Sequence, residues 1–263
     1  MPGLIIDGRV EDIPGLTITN YKAIPKLKLK AGEDMRARNT RWIRSIVLHN
    51  TKNIQTVVKP SYGPSTNLGD RIAKLWSTDG RNAGAHISVD WDGTICCHCD
   101  LLQDAAYHAS AMNEVSIGIE IYEDGNGVVF EGQLSAVVKL VVWLCQRFGI
   151  QMQMPWAMNN AQISRIKAGG SDCVGVFGHC HNNHKDKAYD PGFDIMKRLL
   201  VDAKFKEFSF DPHTVADDKA YWMGIQKRLG LNPDGVPGPK TRDALQARGF
   251  KYGLYDFTTI PIA

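Results

Sequence analysis

No run of apolar residues in this chain approaches the roughly 20 that a membrane-spanning helix needs, so no span is expected. The opening Met-Pro-Gly-Leu-Ile-Ile-Asp has no basic leader and no long apolar segment, and no lipoprotein-type cysteine lies near it. The expectation is a protein made and folded in the cytoplasm that needs another export route to work outside. Charge of one sign is equally scarce. The 31 Lys and Arg against 28 Asp and Glu leave a net +3, too little to argue for a nucleic-acid partner. Basic residues gather between Lys22 and Arg44, and that stretch reads as a solvated arm wrapped on the domain. No long-period internal repeat is present, which excludes a solenoid or propeller.

A second cysteine cluster is also missing. The six cysteines are Cys96, Cys97, Cys99, Cys145, Cys173 and Cys180, three of them in Cys-Cys-His-Cys at 96–99. On a strand, Cys96 and His98 face one side while Cys97 and Cys99 face the other, so they cannot close on one ion. Buried thiols are expected, and a cytoplasmic folding compartment disfavours disulfides.

What is there suffices for a sizeable core. At 263 residues, 43% hydrophobic and 22% charged, the chain has room for one α/β domain and a minor one. Residues 1–40 carry Pro2, Pro14 and Pro25 with little periodicity and read as an irregular N-terminal arm packed on the main domain. Ser45–Leu48 reads as a strand ending at His49. Residues 69–77 read as a helix, and His86–Asp90 and Thr94–Ile95 as a hairpin turning at Asp92-Gly93. Ser116–Tyr122 and Val174–Phe177 read as further strands. Gln133–Phe148 has apolar residues at helical spacing and a stop at Gly149, and 193–205 reads as a helix after the Asp-Pro-Gly turn. Strands interleaved with helices predict an α/β fold with a mixed central β-sheet flanked by helices, over 41–207. A linker at 208–216 precedes a tail, 217–263, with two short amphipathic helices around a Gly/Pro-rich loop.

The chemistry concentrates in three separated places: Leu-His-Asn-Thr (48–51), Val-Phe-Gly-His-Cys-His (176–181) and Tyr-Asp-Pro-Gly (189–192). Two distant histidines and a carboxylate, each beside a strand end or sharp turn, can make a three-ligand zinc site. Such a site keeps a fourth position open, as catalytic zinc does. In the second segment Cys180 is a soft-ligand alternative, and His181 shares a strand-end face with His179 and rivals it.

Six segments in order resemble the zinc-dependent type 2 N-acetylmuramoyl-L-alanine amidases, the family of phage lysins, wall-recycling amidases and peptidoglycan-recognition proteins. They are Val-Leu-His-Asn-Thr (47–51), Ala-His-Ile-Ser-Val-Asp-Trp-Asp-Gly-Thr-Ile (85–95), Ala-Tyr-His-Ala (106–109), Ser-Ile-Gly-Ile-Glu (116–120), Phe-Gly-His (177–179) and Asp-Pro-Gly (190–192). The resemblance implies a type 2 amidase-like fold with Zn2+ bound by His49, His179 and Asp190. It implies Glu120 as the catalytic general base and Lys187 as the cation that stabilises the oxyanion. The family usually places that lysine two residues before the aspartate. Here Lys187 stands three before it, and Lys185 is the alternative. His86 and His108 match positions that line or support the site, and Asn113 is a candidate for the same substrate-binding wall.

The tail resembles a three-helix peptidoglycan-binding domain, through Gln226, Leu229, Asp234, Gly235, Gly238, Pro239, Thr241 and Arg242. A DNA-binding helix-turn-helix is the weaker reading, because the Gly/Pro-rich loop exceeds a tight turn. Together the resemblances imply an amidase cutting between N-acetylmuramic acid and L-alanine. With a wall anchor and no export signal, it reads as a monomeric phage or prophage endolysin, released by a holin and acting on the cell wall. The alternatives are a non-catalytic peptidoglycan-binding protein and an amidase for soluble muropeptides in wall recycling.

Overall fold

The structure, a computed structural model, describes residues 2–51, 68–78, 82–122, 130–155, 174–181 and 190–207, with isolated positions between 223 and 244. In chain order the strands are β1 (Leu4–Ile6), β2 (Arg9–Glu11), β3 (Ile18–Asn20), β4 (Met35–Ala37), β5 (Ser45–Asn50), β6 (Ile87–Val89), β7 (Ile95–Cys97), β8 (Asp104–Ala106), β9 (Ser116–Ile121), β10 (Gln153–Met154), β11 (Gly175–Gly178) and β12 (Lys206–Glu207). Among the fully described segments the α-helices are α1 (Leu68–Thr78), α2 (Glu131–Phe148) and α3 (Phe193–Val201).

Six strands form the central sheet in the order β11-β5-β9-β6-β7-β3. The four from β11 to β6 run parallel to one another, while β7 returns antiparallel beside β6 and β3 lies parallel to β7. The expected mixed sheet with flanking helices is what forms. The β6–β7 hairpin turns at Asp92-Gly93 as the dipeptide predicts. Gly93 has φ +88°, and an added Cβ would sit 2.9 Å from the carbonyl oxygen of Gly132.

Strand alternation divides the sheet into unlike faces. On one, Ile46, Leu48, Ile87, Val89, Ile117, Ile119, Ile121 and Val176 pack with Leu134, Val137, Leu140, Val141 and Leu144 of α2 and with Ile195, Met196 and Leu199 of α3. Each such side chain contributes about 1.5–3 kcal/mol on burial, so this face supplies most of the driving force. Gln133 is the polar exception. Its Nε2 donates to the carbonyls of Val89 (3.1 Å) and Tyr122 (2.9 Å), tying α2 to the ends of β6 and β9. The opposite face carries Ser45, His49, Ser88, Ser116, Gly118 and Glu120, and the chemistry gathers there.

Two expectations change. The stretch 1–40 does pack on the main domain, but it is not irregular. It holds four three-residue strands: β1 pairs β2, β3 extends the central sheet, and β4 pairs β8. Leu4, Ile5 and Ile6 lie in the main core. Strands this short leave no alternation to read. The helix expected over 193–205 ends at Val201, because Lys204 takes φ +55° and the chain enters β12, parallel to β10.

Among the described residues no helix is long and apolar enough to cross a membrane. The expected linker and most of the tail lie outside the described residues. In the tail, Gln226 Nε2 donates to Asp234 Oδ1 at 2.6 Å and to Thr241 Oγ1 at 3.2 Å, with Gln226 and Thr241 buried. Three residues of the tail's motif thus meet in one hydrogen-bonded knot.

Candidate metal centre

Two parallel strands, β5 and β11, and the segment just before α3 deliver the candidate ligands. His49 stands near the carboxyl end of β5, paired in register with Glu120 on β9, and Leu48 is paired with Gly178, the last residue of β11. His179 follows Gly178 at once, in a short helical turn of 179–181. The carboxyl ends of parallel strands are where open α/β sheets place their sites.

His49, His179 and Asp190, distant in sequence, meet there with one ligand atom each inside a 4.8 Å cluster. His49 Nδ1 and His179 Nδ1 lie 2.9 Å apart, and His179 Nδ1 is 3.3 Å from Asp190 Oδ2. Zinc bonds of about 2.0–2.2 Å need donors within about 4 Å of one another, and these separations satisfy that. The set of two imidazoles and one carboxylate also suits zinc chemically. Asp190 is held from behind: its Oδ1 accepts the Asn50 amide at 2.5 Å, and its carbonyl accepts the Cys180 amide at 3.0 Å. Gly178 explains the Phe-Gly-His triplet. A Cβ there would lie 2.7 Å from Pro191 Cδ and 2.9 Å from the Asp190 carbonyl oxygen, so only glycine lets the aspartate segment close onto β11.

His181 does not compete. It is buried, its Nδ1 accepts the Gly178 amide at 2.8 Å, and its ring lies edge-on to Phe177. Burial pushes its pKa down to about 3. The 3₁₀ turn, which a strand-end register does not anticipate, points it away from His179. Cys180 is buried and outside the cluster.

The Cys-Cys-His-Cys segment forms no metal group among the described residues. Cys97 Sγ donates to the Cys99 carbonyl. His98 spends both nitrogens on the Leu27 carbonyl (2.9 Å) and the Ser88 hydroxyl (2.8 Å). Burial pushes the Cys97 thiol up to about 12 and the Cys99 thiol well above its usual range, so neither offers a thiolate.

The remaining candidates divide. Glu120 is half-buried, beside His49 in register and therefore on the same face of the sheet. Lys187 and Lys185 lie outside the described residues. His108 packs over Gly118, where a Cβ would come within 2.5 Å of the ring, and its Nδ1 is 3.1 Å from His49 Nε2. His86 is fully buried. Its Nδ1 accepts the Gly118 amide at 3.0 Å, and its Nε2 lies 2.8 Å from the Arg38 guanidinium and 3.1 Å from the Asp104 carbonyl. Burial, with the Arg38 guanidinium next, holds His86 well below the usual histidine range. Asn113 Oδ1 accepts the amides of His108 (3.0 Å) and Ala109 (2.6 Å) and shapes that loop. The geometry of His86 and Asn113 is that of support behind the site.

Sequence reasoning missed Arg38. Assigned to a solvated stretch, it turns inward and donates to the carbonyls of Asn113 (2.8 Å), Glu114 (2.6 Å) and Ser116 (3.1 Å). Burial pulls its pKa down to about 10. Its neighbours Arg36 and Arg41 are exposed and pair with Glu114 and Asp7, so composition alone gave no signal to separate them.

A family model described as N-acetylmuramoyl-L-alanine amidase matches residues 38–193, more than half of the chain. The chain belongs to that family. No curated protein matches it in sequence. Among solved structures it is similar to an endolysin N-acetylmuramoyl-L-alanine amidase from Clostridium intestinale, with 14% identity, 74% of this chain and 99% of that chain covered, and a TM-score of 0.46. It is also similar to the Drosophila peptidoglycan recognition protein SA (12%, 74% and 96%, 0.47) and to a mutant endolysin from Bacillus subtilis (18%, 68% and 92%, 0.36). Membership rests on the sequence match.

Proposed function

We propose that this chain is a zinc-dependent N-acetylmuramoyl-L-alanine amidase that cleaves the amide between the lactyl group of N-acetylmuramic acid and L-alanine of the stem peptide. The observation that carries this reading is the convergence of His49, His179 and Asp190 at the carboxyl edge of a sheet whose family is that of these amidases. These three residues would hold the ion through His49 Nδ1, His179 Nδ1 and an Asp190 carboxylate oxygen. When bound, zinc supplies Lewis acidity toward the scissile carbonyl and toward water. Glu120 takes the proton of the attacking water and returns it to the leaving amine. Lys187 offers its cation to the oxyanion. Residues 217–263 form a peptidoglycan-binding domain that keeps the enzyme on its insoluble polymer, joined by the linker 208–216. The biological role is that of a monomeric phage or prophage endolysin, made in the host cytoplasm, released by a holin and acting on the wall.

The test is digestion of purified cell wall by zinc-loaded protein, with labelling of new amino groups and new reducing ends. The expected product is free L-alanine amine without reducing sugar. Reducing ends without amines would overturn the assignment. A zinc-loaded chain that binds wall and releases neither would be the non-catalytic binder, and one that turns over only soluble muropeptides would be a recycling amidase.

A further inference from the structure

A hydrogen-bonded chain runs behind His49, and the direction of each bond follows from one hydroxyl. Ser116 Oγ lies 2.5 Å from the Met112 carbonyl oxygen, which can only accept, so the single hydroxyl proton is committed there. Toward His108 Nε2, at 3.3 Å, Ser116 Oγ therefore acts as acceptor, and that nitrogen carries the proton. A neutral ring protonated on Nε2 has its lone pair on Nδ1. His108 Nδ1 lies 3.1 Å from His49 Nε2 and so accepts its proton. His49 is then left with a lone pair on Nδ1, the nitrogen 2.9 Å from His179 Nδ1.

The ring of His108 is fixed in place for this. It stands over Gly118, which has no side chain to displace it, and lies edge-on to His49 and His86 with centroids 5.2 and 5.4 Å away. Asn113 holds its backbone amide, and Arg38 clamps the carbonyls of residues 113, 114 and 116 around it.

We propose that His108 is a positioning residue whose Nδ1 accepts the Nε2 proton of His49 and thereby aims the His49 Nδ1 lone pair at the ion shared with His179 and Asp190. Ser116 fixes the tautomer of His108 in turn. The inference rests on the reading of His49 as a zinc ligand, and it replaces substrate contact by His108 with support of the ligand. Partners of this kind fix the orientation of an imidazole ligand and are worth about 10–100-fold in metal affinity.

Two measurements test it. The first is the zinc dissociation constant at fixed pH, by competition with a chromogenic chelator, for wild type, His108→Phe, His108→Asn and Ser116→Ala. Phenylalanine keeps a ring over Gly118 without an acceptor, whereas asparagine restores an acceptor oxygen near Nδ1. The expected result is a loss of about 10–100-fold in His108→Phe, recovery toward wild type in His108→Asn, and a smaller loss in Ser116→Ala. The second is the long-range proton–nitrogen correlation of His49 in the zinc-free wild type, expected to place the proton on Nε2. A folded His108→Phe that binds zinc as tightly as wild type overturns the proposal, as does a His49 proton on Nδ1. If His108→Phe does not fold, Ser116→Ala and the His49 tautomer decide. A wild type that binds no zinc at all defeats the metal reading instead, which separates the two failures.

Discussion

Two clusters of metal-capable residues compete for attention in this chain, and they end differently. Cys96, Cys97, His98 and Cys99 are adjacent in sequence, yet they form no metal group among the described residues, and the Cys97 thiol and both His98 nitrogens are spent on backbone carbonyls and Ser88. His49 and His179 are 130 positions apart and Asp190 lies further still from His49, yet their ligand atoms share a 4.8 Å cluster. Local density of ligand-type residues is therefore a poor guide. What builds a site is the carboxyl edge of parallel strands, where separate chain segments end side by side with polar groups that the core has not used.

The largest expected effect comes from the scattered cluster. His179→Ala and Asp190→Asn should each weaken zinc binding by more than the roughly 100-fold reserved for supporting residues, and abolish wall hydrolysis. Cys97→Ala and Cys99→Ala should leave zinc stoichiometry unchanged, read by metal analysis after dialysis. Loss of zinc in the cysteine variants would reverse the comparison.

Next in size is packing beneath the site. Gly118→Ala drives a Cβ to within 2.5 Å of the His108 ring and should destabilise the fold by about 1–3 kcal/mol, measured by urea unfolding. A neutral outcome would mean that the ring is not seated over Gly118.

Acid should act through His86, whose folded pKa is depressed by burial and by Arg38. Above about pH 6.5 both folded and unfolded states hold the ring neutral, and it adds no pH dependence. Below that, the unfolded chain takes up a proton that the folded chain refuses, so stability falls by up to about 1.4 kcal/mol per pH unit. Unfolding at pH 7.5 and 5.5 reads the slope; buried His181 adds one of the same sign, so His86→Asn should reduce the slope without removing it.

The smallest effect concerns thiol chemistry. With pKa values raised by burial, Cys97 and Cys99 should resist alkylation in the native state at pH 8 and react only on unfolding. Rapid native labelling would place them at the surface.

The helices and most strands were legible because their patterns are long. α2 shows its apolar stripe and its Gly149 stop, β5 carries the apolar run Ile46–Leu48, and β9 alternates Ile117, Ile119 and Ile121 with small or polar residues, as a strand with one buried face does. The arm was not legible, since β1 to β4 are three residues each, and β3 and β4 owe their form to partners far along the chain. The candidate ligands were named from ordered motifs, but the supporting bonds were not. Ser116 lay inside a recognised motif without a visible task, and Arg38 looked like any other arginine of a basic stretch. Both act through contacts that no local pattern records.

The difference between the two clusters can be read from the ion itself. X-ray absorption at the zinc edge of the loaded protein should show only nitrogen and oxygen neighbours at about 2.0–2.2 Å, including imidazole scattering. A sulfur neighbour at about 2.3 Å, or a protein that retains no zinc, would contradict a centre built from His49, His179 and Asp190.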